Sequence, residues 1–281
     1  MKDTGSNRFE CFFEEDKYTL LKNYLYNYIL RKRAVENSLK YEKIDIILEV
    51  GSGISPVMTK TNNIIYTDLS FTAIKVLRHT HRKGLYVVTD CARLPFKSNV
   101  ISHTICSEVL EHLPDDMGAI QELARVMKPK GYLIITFPHR KFYFSIDDRF
   151  VEHYRRYEIL EMENKLKEYG LKPISIKKIL GPLEKVTMCI AVICFSMMQK
   201  LRPQESKSEK TEKIQNNKLM KLISFLFKWT NLFYMWFVWL DAKIMPRNFS
   251  TVLLIKCTLQ DKPKQQVTNK RNSPLKYYTE I

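Results

Sequence analysis

The acidic, glycine-containing turn at residues 49–53 (Glu-Val-Gly-Ser-Gly) constrains the fold more than any other stretch of this chain. It closes a mostly apolar run, 44–50, and holds two of only eight glycines among 281 residues. Glycine has no Cβ atom, so the backbone can turn tightly and lie against a bound ligand. The pattern predicts a buried strand that ends in a ligand-binding turn. Ser55 and Pro56 then predict the cap and the first residue of a helix.

The position of Pro56 argues against a nicotinamide dinucleotide as the ligand. A dinucleotide-binding turn carries a third glycine or alanine six positions into the loop, where helix and strand pack closely. Counted from Gly51, that position is Pro56, which is bulky and has no N–H group. The turn therefore favours another nucleotide-like ligand, and an ordinary glycine turn without a ligand is the alternative.

Short apolar runs that end in polar residues recur along the chain. Runs 63–67, 85–89 and 102–106 end at Asp68, Asp90 and Ser107. Helix-sized segments separate these runs, which predicts a doubly wound α/β fold with a mostly parallel, Rossmann-like sheet. Later apolar runs supply the remaining three of seven expected strands: 131–138, 173–179 and 250–255. Ligands bind at the carboxyl ends of such strands, so we expect the polar side chains there to meet at one site.

In their order and spacing, these motifs resemble the class I S-adenosylmethionine (SAM)-dependent methyltransferases, in particular the small-molecule group that includes ubiquinone and menaquinone methyltransferases. The resemblance covers roughly residues 44 to 180. It is carried by the 49–53 turn, Asp68-Leu69-Ser70, Asp90 with Leu94-Pro95-Phe96, Val109-Leu110-Glu111-His112-Leu113, and the strand 131–138. Many relatives carry a third glycine where this chain has Ser55, which is a departure in the glycine loop.

The resemblance implies an enzyme that uses SAM and releases S-adenosylhomocysteine. It places the methionine part of SAM on the glycine turn, the ribose at Asp68, the adenine near Asp90, and the sulfonium above Glu108 and Val109. The cofactor-binding residues that it implies are Glu49, Gly51, Ser52, Gly53, Asp68, Leu69, Asp90, Cys91, Ala92, Ser107, Glu108 and Val109. His112 belongs to the scaffold in this pattern.

Substrate contacts in this fold come from the segment after the fifth strand, here residues 137–157. Histidine suits general-base work near neutrality, and arginine binds carboxylate or phosphate groups. We expect catalytic roles for His153, His139 and Tyr157, and substrate binding by Arg140, Arg155 and Arg156. The alternative is a surface loop whose charges pair with Asp147 and Asp148. No metal-ligand cluster is evident in the sequence, so we expect metal-independent chemistry.

The remaining segments predict a decorated core. Residues 1–43 contain an amphipathic helix at 17–40 that either covers the cofactor site as a lid or packs on the sheet. The core, 44–180, is followed by an apolar helical insert at 181–249, a last strand at 250–260 and a basic tail at 261–281 that we expect to be disordered. No signal peptide is visible, so we expect a cytoplasmic protein.

The insert combines aromatic and basic residues. Residues 186–198 carry no charge, and 222–240 carry Lys228 alone together with all three tryptophans. The chain has a net charge of +16, concentrated around these segments and around 125–156. Tryptophan, tyrosine and lysine favour the membrane–water interface. The insert therefore predicts contact with an anionic membrane surface, peripheral at the inner face, and a substrate cap or dimer face is the alternative.

These observations predict SAM-dependent methyl transfer to an amphipathic or lipid-linked small molecule, such as a glycolipid, a polyprenyl-linked sugar or a quinone. A soluble metabolite is an alternative acceptor. An RNA acceptor fits the positive charge, but residues 107–110 (Ser-Glu-Val-Leu) lack the Asn/Asp-Pro-Pro-Tyr/Phe motif of enzymes that methylate base amino groups. A SAM-fold scaffold without catalysis is a further alternative, disfavoured by the intact Asp68 and glycine turn. The sequence leaves the oligomeric state open.

Overall fold

The computed structural model describes residues 25–200 and 218–260. Its centre is one seven-stranded sheet with the strand order β3-β2-β1-β4-β5-β7-β6. The strands are β1 (Ile47–Val50), β2 (Ile64–Asp68), β3 (Leu85–Val88), β4 (Ile101–Ser107), β5 (Met127–Pro138), β6 (Leu171–Leu180) and β7 (Val252–Leu259). The predicted fold class, a doubly wound and mostly parallel Rossmann-like sheet, is confirmed.

Helices flank both faces of the sheet. They are α1 (Tyr26–Leu39), α2 (Phe71–His81), α3 (Asp116–Val126), α4 (Ile146–Phe150), α5 (Ile159–Glu168), α6 (Pro182–Lys200) and α7 (Lys218–Ile244). Helix α2 begins at a serine cap, since the Ser70 side chain accepts the Ala73 N–H. Of the predicted N-terminal helix at 17–40, residues 17–24 lie outside the described residues, as do residues 201–217 of the insert and the predicted tail 261–281.

Strands β1 to β5 pair in parallel, while β7 runs antiparallel between β5 and β6. The carboxyl ends of the five parallel strands therefore open on one edge of the sheet. Two apolar cores lie on opposite faces. One joins the sheet to α3 and α5, and the other joins it to α1, α2 and α7. This arrangement fixes the strand ends where the polar residues stand.

The connection from β1 to β2 contains no helix, so the helix predicted at Ser55 and Pro56 is wrong. Residues 51–63 form turns and bends instead. Side chains from elsewhere satisfy this loop: Tyr28 donates its hydroxyl to the Pro56 carbonyl at 2.8 Å, and the Glu49 carboxylate accepts the N–H groups of Val57 and Met58 at 2.7 and 3.1 Å. These partners replace the backbone bonds that a helix would make.

The insert at 181–249 contains α6 and α7, which contact each other, while α7 also packs on α1 and β6. The start of α6 is tied to α7, because Asp241 accepts the Leu183 N–H at 3.0 Å. One side of α7 is buried and the other is covered with exposed aromatic residues. Among the described residues, no helix is both long enough and apolar enough to cross a bilayer.

Candidate functional site

A cavity of about 390 Å³ opens at the carboxyl ends of the parallel strands. Its floor is formed by the ends of β1, β2 and β4, and its other walls come from α1, α4 and α6. Leu25, Asn27, Tyr28 and Arg31 bring α1 to the rim of this cavity, while the other side of α1 packs on the sheet. Parallel strand ends are where open α/β sheets bind ligands, so this cavity is the candidate site.

Gly51 and Gly53 form the turn at the end of β1. Both residues have positive φ angles, +66° and +54°, which glycine adopts without strain. A Cβ atom on Gly51 would stand 2.3 Å from Cγ2 of Val109, so no larger residue fits without displacing that side chain. The Gly53 N–H donates to Asp68 Oδ2 at 2.8 Å. The turn is thus fixed by its own backbone and by the neighbouring strand end.

Carboxylates close β2 and the strand beside it. Asp68 Oδ1 accepts the Ser70 N–H at 2.9 Å while its Oδ2 accepts from Gly53. An ionised carboxylate offers about four acceptor positions, and it is the group that a ribose diol would need at this strand end. Asp90 Oδ1 accepts the Ala92 N–H at 2.9 Å. Both carboxylates line the cavity with their positions set by backbone donors.

The structure brings nearly all of the predicted cofactor residues together. Eleven of the twelve line the cavity: Glu49, Gly51, Ser52, Gly53, Asp68, Leu69, Asp90, Cys91, Ser107, Glu108 and Val109. Ala92 does not, although its backbone N–H orients Asp90. Their contact with SAM stays a prediction. Glu108 has a φ of +56°, a strained value for a residue with a side chain, and such strain concentrates at functional sites.

The opposite wall of the cavity is a buried ionic cluster. Asp148 accepts from His153 Nδ1 at 2.9 Å, from Arg156 Nε at 2.7 Å and from Lys185 Nζ at 2.6 Å. Lys185 also donates to both Asp147 oxygens, at 2.6 and 2.8 Å. Burial alone would raise the pKa of Asp148, but the hydrogen bonds from His153, Arg156 and Lys185 hold it below its ordinary range. The cluster neutralises itself and fixes the His153 ring.

Of the three predicted catalytic residues, only His153 lines the cavity. Tyr157 is fully buried, and its hydroxyl donates to Asp116 at 2.8 Å. His139 is also buried and donates from Nδ1 to the Ser250 carbonyl at 2.9 Å, with its pKa lowered by burial. Neither side chain lines the cavity, so the structure does not support the catalytic roles expected of Tyr157 and His139.

The predicted substrate arginines divide in the same way. Arg156 lines the cavity, where it is bound to Asp148. Arg140 pairs with Glu158 at 2.9 Å, and Arg155 donates to the Pro114 carbonyl at 2.8 Å. Arg140 and Arg155 do not line the cavity, so the structure does not support their predicted role. The alternative reading of paired charges at Asp147 and Asp148 holds, with the pairs buried rather than at the surface.

Several residues of the cavity region were not assigned a role from the sequence. Lys185 and Glu184 form part of the buried charge, and their signal was a pair of charges just before an uncharged run. His112, expected in the scaffold, lines the cavity with its ring centroid 4.6 Å from that of His153. Ligand atoms of Glu111, His112 and His153 lie within 4.8 Å of one another, a cluster that the sequence did not reveal.

Known proteins are similar in sequence to part of this chain. Residues 48–135 match the family described as a methyltransferase domain. An uncharacterized protein of Methanocaldococcus jannaschii is 34% identical over 93 residues, which are 32% of this chain and 40% of that protein. A demethylmenaquinone methyltransferase of Streptomyces griseus is 28% identical over 110 residues, 38% of this chain and 48% of that enzyme. The matches thus span less than half the length of these relatives.

Solved structures share the fold over most of the chain. A SAM-dependent methyltransferase of Thermotoga maritima has a TM-score of 0.56 at 15% identity, covering 90% of this chain and 98% of that one. Phosphoethanolamine N-methyltransferase 2 of Haemonchus contortus, solved in complex with SAM, has a TM-score of 0.55 at 15% identity, covering 92% and 61%. At these identities the likeness concerns the fold alone.

Proposed function

We propose that this chain, which carries a class I SAM-dependent methyltransferase domain, methylates an amphipathic or lipid-linked small molecule. The methyltransferase domain predicted from the sequence is confirmed by the match of residues 48–135, and the solved structures share its fold. The methyl donor of this family is SAM. The identity of the acceptor is the part that we propose.

The sheet side of the cavity has the groups that SAM requires. The glycine turn leaves room for the methionine part, and Asp68 presents acceptor positions for the ribose hydroxyls. Asp90 and Cys91 border the region for the adenine. Glu108 and Val109 would then lie beneath the sulfonium. The methyl group would point toward the wall formed by His112, His153 and Arg156.

Transfer is an in-line displacement: the acceptor atom bonds to the methyl carbon as the bond to sulfur breaks, and S-adenosylhomocysteine leaves. Most of the acceleration in such a reaction comes from positioning the two reactants and excluding water. His153 is the candidate general base for an acceptor hydroxyl, because it lines the cavity and Asp148 holds its Nδ1, which leaves Nε2 to take the proton.

An apolar groove beside the cavity carries the proposal of an amphipathic acceptor. Phe150 lines both the cavity and this groove, which has a volume of about 510 Å³. The other groove residues come from α4 and α6: Ile146, Arg149, Val192, Ile193, Ser196 and Met197. A polar headgroup could reach the cavity while its apolar chain lies along this groove, because burying apolar surface away from water is favourable.

The exposed side of α7 supports action at a lipid surface. Trp229, Phe233 and Trp236 recur at helical spacing, with 59%, 70% and 53% of their surface exposed. Lys243 stands over the Trp239 ring at 5.7 Å. Aromatic residues beside lysines are typical of helices that lie in the membrane interface. The enzyme would then take its acceptor from the membrane face.

A soluble polar acceptor is the second candidate. The buried charges of Arg156, Asp147 and Asp148 at the cavity wall favour a ligand with polar groups of its own. In that case, the α6–α7 surface would serve as a dimer face or a substrate cap.

The test is incubation of methyl-labelled SAM with the purified protein and whole extract of the source cell, followed by partition between organic solvent and water. Label in the organic phase that disappears with Asp68→Ala supports the proposal. Label in the aqueous small-molecule fraction alone would contradict the lipid part. A Phe233→Ser, Trp236→Ser variant should lose flotation with phosphatidylglycerol vesicles while it keeps SAM binding.

A further inference from the structure

We propose that Glu111, His112 and His153 form a binding site for one divalent transition-metal ion. The site lies at the wall of the cavity that carries the buried ionic cluster, which we call the acceptor side. Glu111 and His112 stand in the 3₁₀ turn Leu110–His112 after β4, and His153 follows α4. Their ligand atoms meet only in the folded chain.

The distances suit a common ion. The ligand atoms of all three lie within 4.8 Å of one another, and Glu111 Oε1 stands 3.8 Å from His153 Nε2. Zinc–nitrogen and zinc–oxygen bonds of about 2.1 Å place two ligands of a tetrahedral ion about 3.4 Å apart. Closing the cluster around an ion therefore requires movements on the order of 1 Å, which side-chain rotation supplies.

Glu111 gives an independent reason to expect a cation. Its side chain is fully buried, and neither carboxylate oxygen has a hydrogen-bond partner. Buried charges are paired or coordinate metals, since an unpaired one is costly. A bound cation would pair with this buried carboxylate directly.

The surroundings of His153 have the form of a metal site. A histidine ligand usually donates its second ring N–H to a carboxylate, which fixes the tautomer and the ring orientation. His153 Nδ1 makes this bond with Asp148 at 2.9 Å. Its Nε2 is then the ligand atom, on the side of Glu111. Arg156 and Lys185 hold Asp148 in turn, so the supporting contacts are already in place.

The ligand set indicates the class of ion. Two imidazoles and one carboxylate suit zinc, iron, manganese or cobalt, whereas magnesium and calcium prefer oxygen ligands throughout. Because His112 and His153 line the cavity, the remaining coordination position faces it. If the proposed methyl transfer is also correct, the ion would occupy the His153 Nε2 that otherwise serves as the base, and an acceptor oxygen bound to the ion would lose its proton to solvent more readily. The metal site itself does not depend on that reaction.

The experiment uses untagged full-length protein that has been stripped with a chelator, because a histidine tag would bind metal. Zinc or cobalt chloride is added, the protein is desalted, and bound metal is counted by mass spectrometry. We expect about one ion per wild-type chain. Glu111→Gln and His153→Ala should each lower retained metal at least tenfold, and His79→Ala, at an exposed histidine of α2, should leave it unchanged.

Cobalt identifies the ligands. Visible absorption of a nitrogen- and oxygen-bound ion, without a thiolate charge-transfer band, would separate this site from binding at the cysteines. The melting temperature and SAM affinity of each variant show that it is folded, and His112→Asn provides a second variant should Glu111→Gln not fold. A wild type that retains no metal, or folded variants that retain as much as wild type, would overturn the proposal. Neither result would bear on methyl transfer.

Discussion

The two sides of the cavity are built in different ways. The sheet side is made of backbone turns at strand ends, and its polar side chains are held by N–H groups a few residues or one strand away, as in Asp68 with Gly53 and Ser70. The acceptor side is made of charged side chains that meet across long sequence separations, such as Asp148 with Lys185. The first side is fixed by local geometry, and the second by a network in which each charge depends on the others.

Of the changes considered, loss of a charge from the acceptor side should lower the free energy of unfolding most. Lys185→Met removes the cation that hydrogen-bonds to both Asp147 and Asp148, and removing one partner from a buried ion pair costs about 3–5 kcal/mol. We expect the free energy of unfolding, measured with urea, to fall by that amount. The exposed pair of Lys141 and Glu161 provides the control, since Lys141→Met should cost under about 1 kcal/mol. If both variants lost the same free energy of unfolding, the buried network would be no more important for stability than an exposed ion pair.

A buried carboxyl on the sheet side should make stability depend on pH. Burial raises the pKa of Glu49 from 4.5 to about 7, although the N–H groups of Val57 and Met58 favour the ionised form. Between these values the native state keeps a proton that the unfolded chain releases, so stability should fall as pH rises through this window, by up to about 3 kcal/mol. Urea unfolding near pH 5 and near pH 8 measures it. Glu49→Gln should flatten the slope, while Glu158→Gln should leave it unchanged.

On the sheet side, a substitution that disturbs the backbone turn should weaken SAM binding. Gly51→Ala introduces strain at φ +66° and a contact of 2.3 Å with Val109, so we expect SAM affinity to fall about a hundredfold, or about 2.7 kcal/mol. Gly170 is the matched control. It has a φ of +75°, but an added Cβ would come no closer than 3.9 Å to Leu259. Calorimetric titration with SAM should show near-normal affinity for Gly170→Ala. If both variants lost SAM affinity equally, backbone strain, and not the contact with Val109, would be the cause.

The smallest expected effect concerns Tyr157. Tyr157→Phe removes a buried hydrogen bond to Asp116, which keeps its contacts with Lys165. The free energy of unfolding should fall by about 1 kcal/mol. Methyl transfer should stay within about twofold of wild type, since this side chain does not reach the cavity. A large loss of turnover with unchanged stability would restore the catalytic role expected from the sequence.

The sequence predicted the sheet side well because its signals are local. A strand, its terminal polar residue and the following turn occupy adjacent positions, so Gly51, Asp68 and Asp90 could be placed from spacing alone. The missing helix at Ser55 and Pro56 could not be foreseen in this way. It depends on Tyr28 and Glu49 reaching the loop from elsewhere in the fold.

The acceptor side was predicted poorly because residue type does not reveal burial. His139 and Tyr157 have suitable chemistry, but the packing of β7 and α3 occupies them. Glu111 and His153 are 42 positions apart and meet because β4 and β5 are neighbours in the sheet. Such a meeting follows from the order of the strands, which single motifs do not specify.

The antiparallel position of β7 has a consequence for biosynthesis. Strand β6 pairs with β7 and no other strand in the described chain, yet β7 is made only after α6 and α7. On the ribosome, β6 and the aromatic helices therefore emerge before their partner in the sheet exists. Exposed apolar surface of this kind makes nascent chains prone to aggregation. Strands β1 to β5 can pair before β7 is made, so β6 and the aromatic helices are the part of the nascent chain that waits longest for its partner.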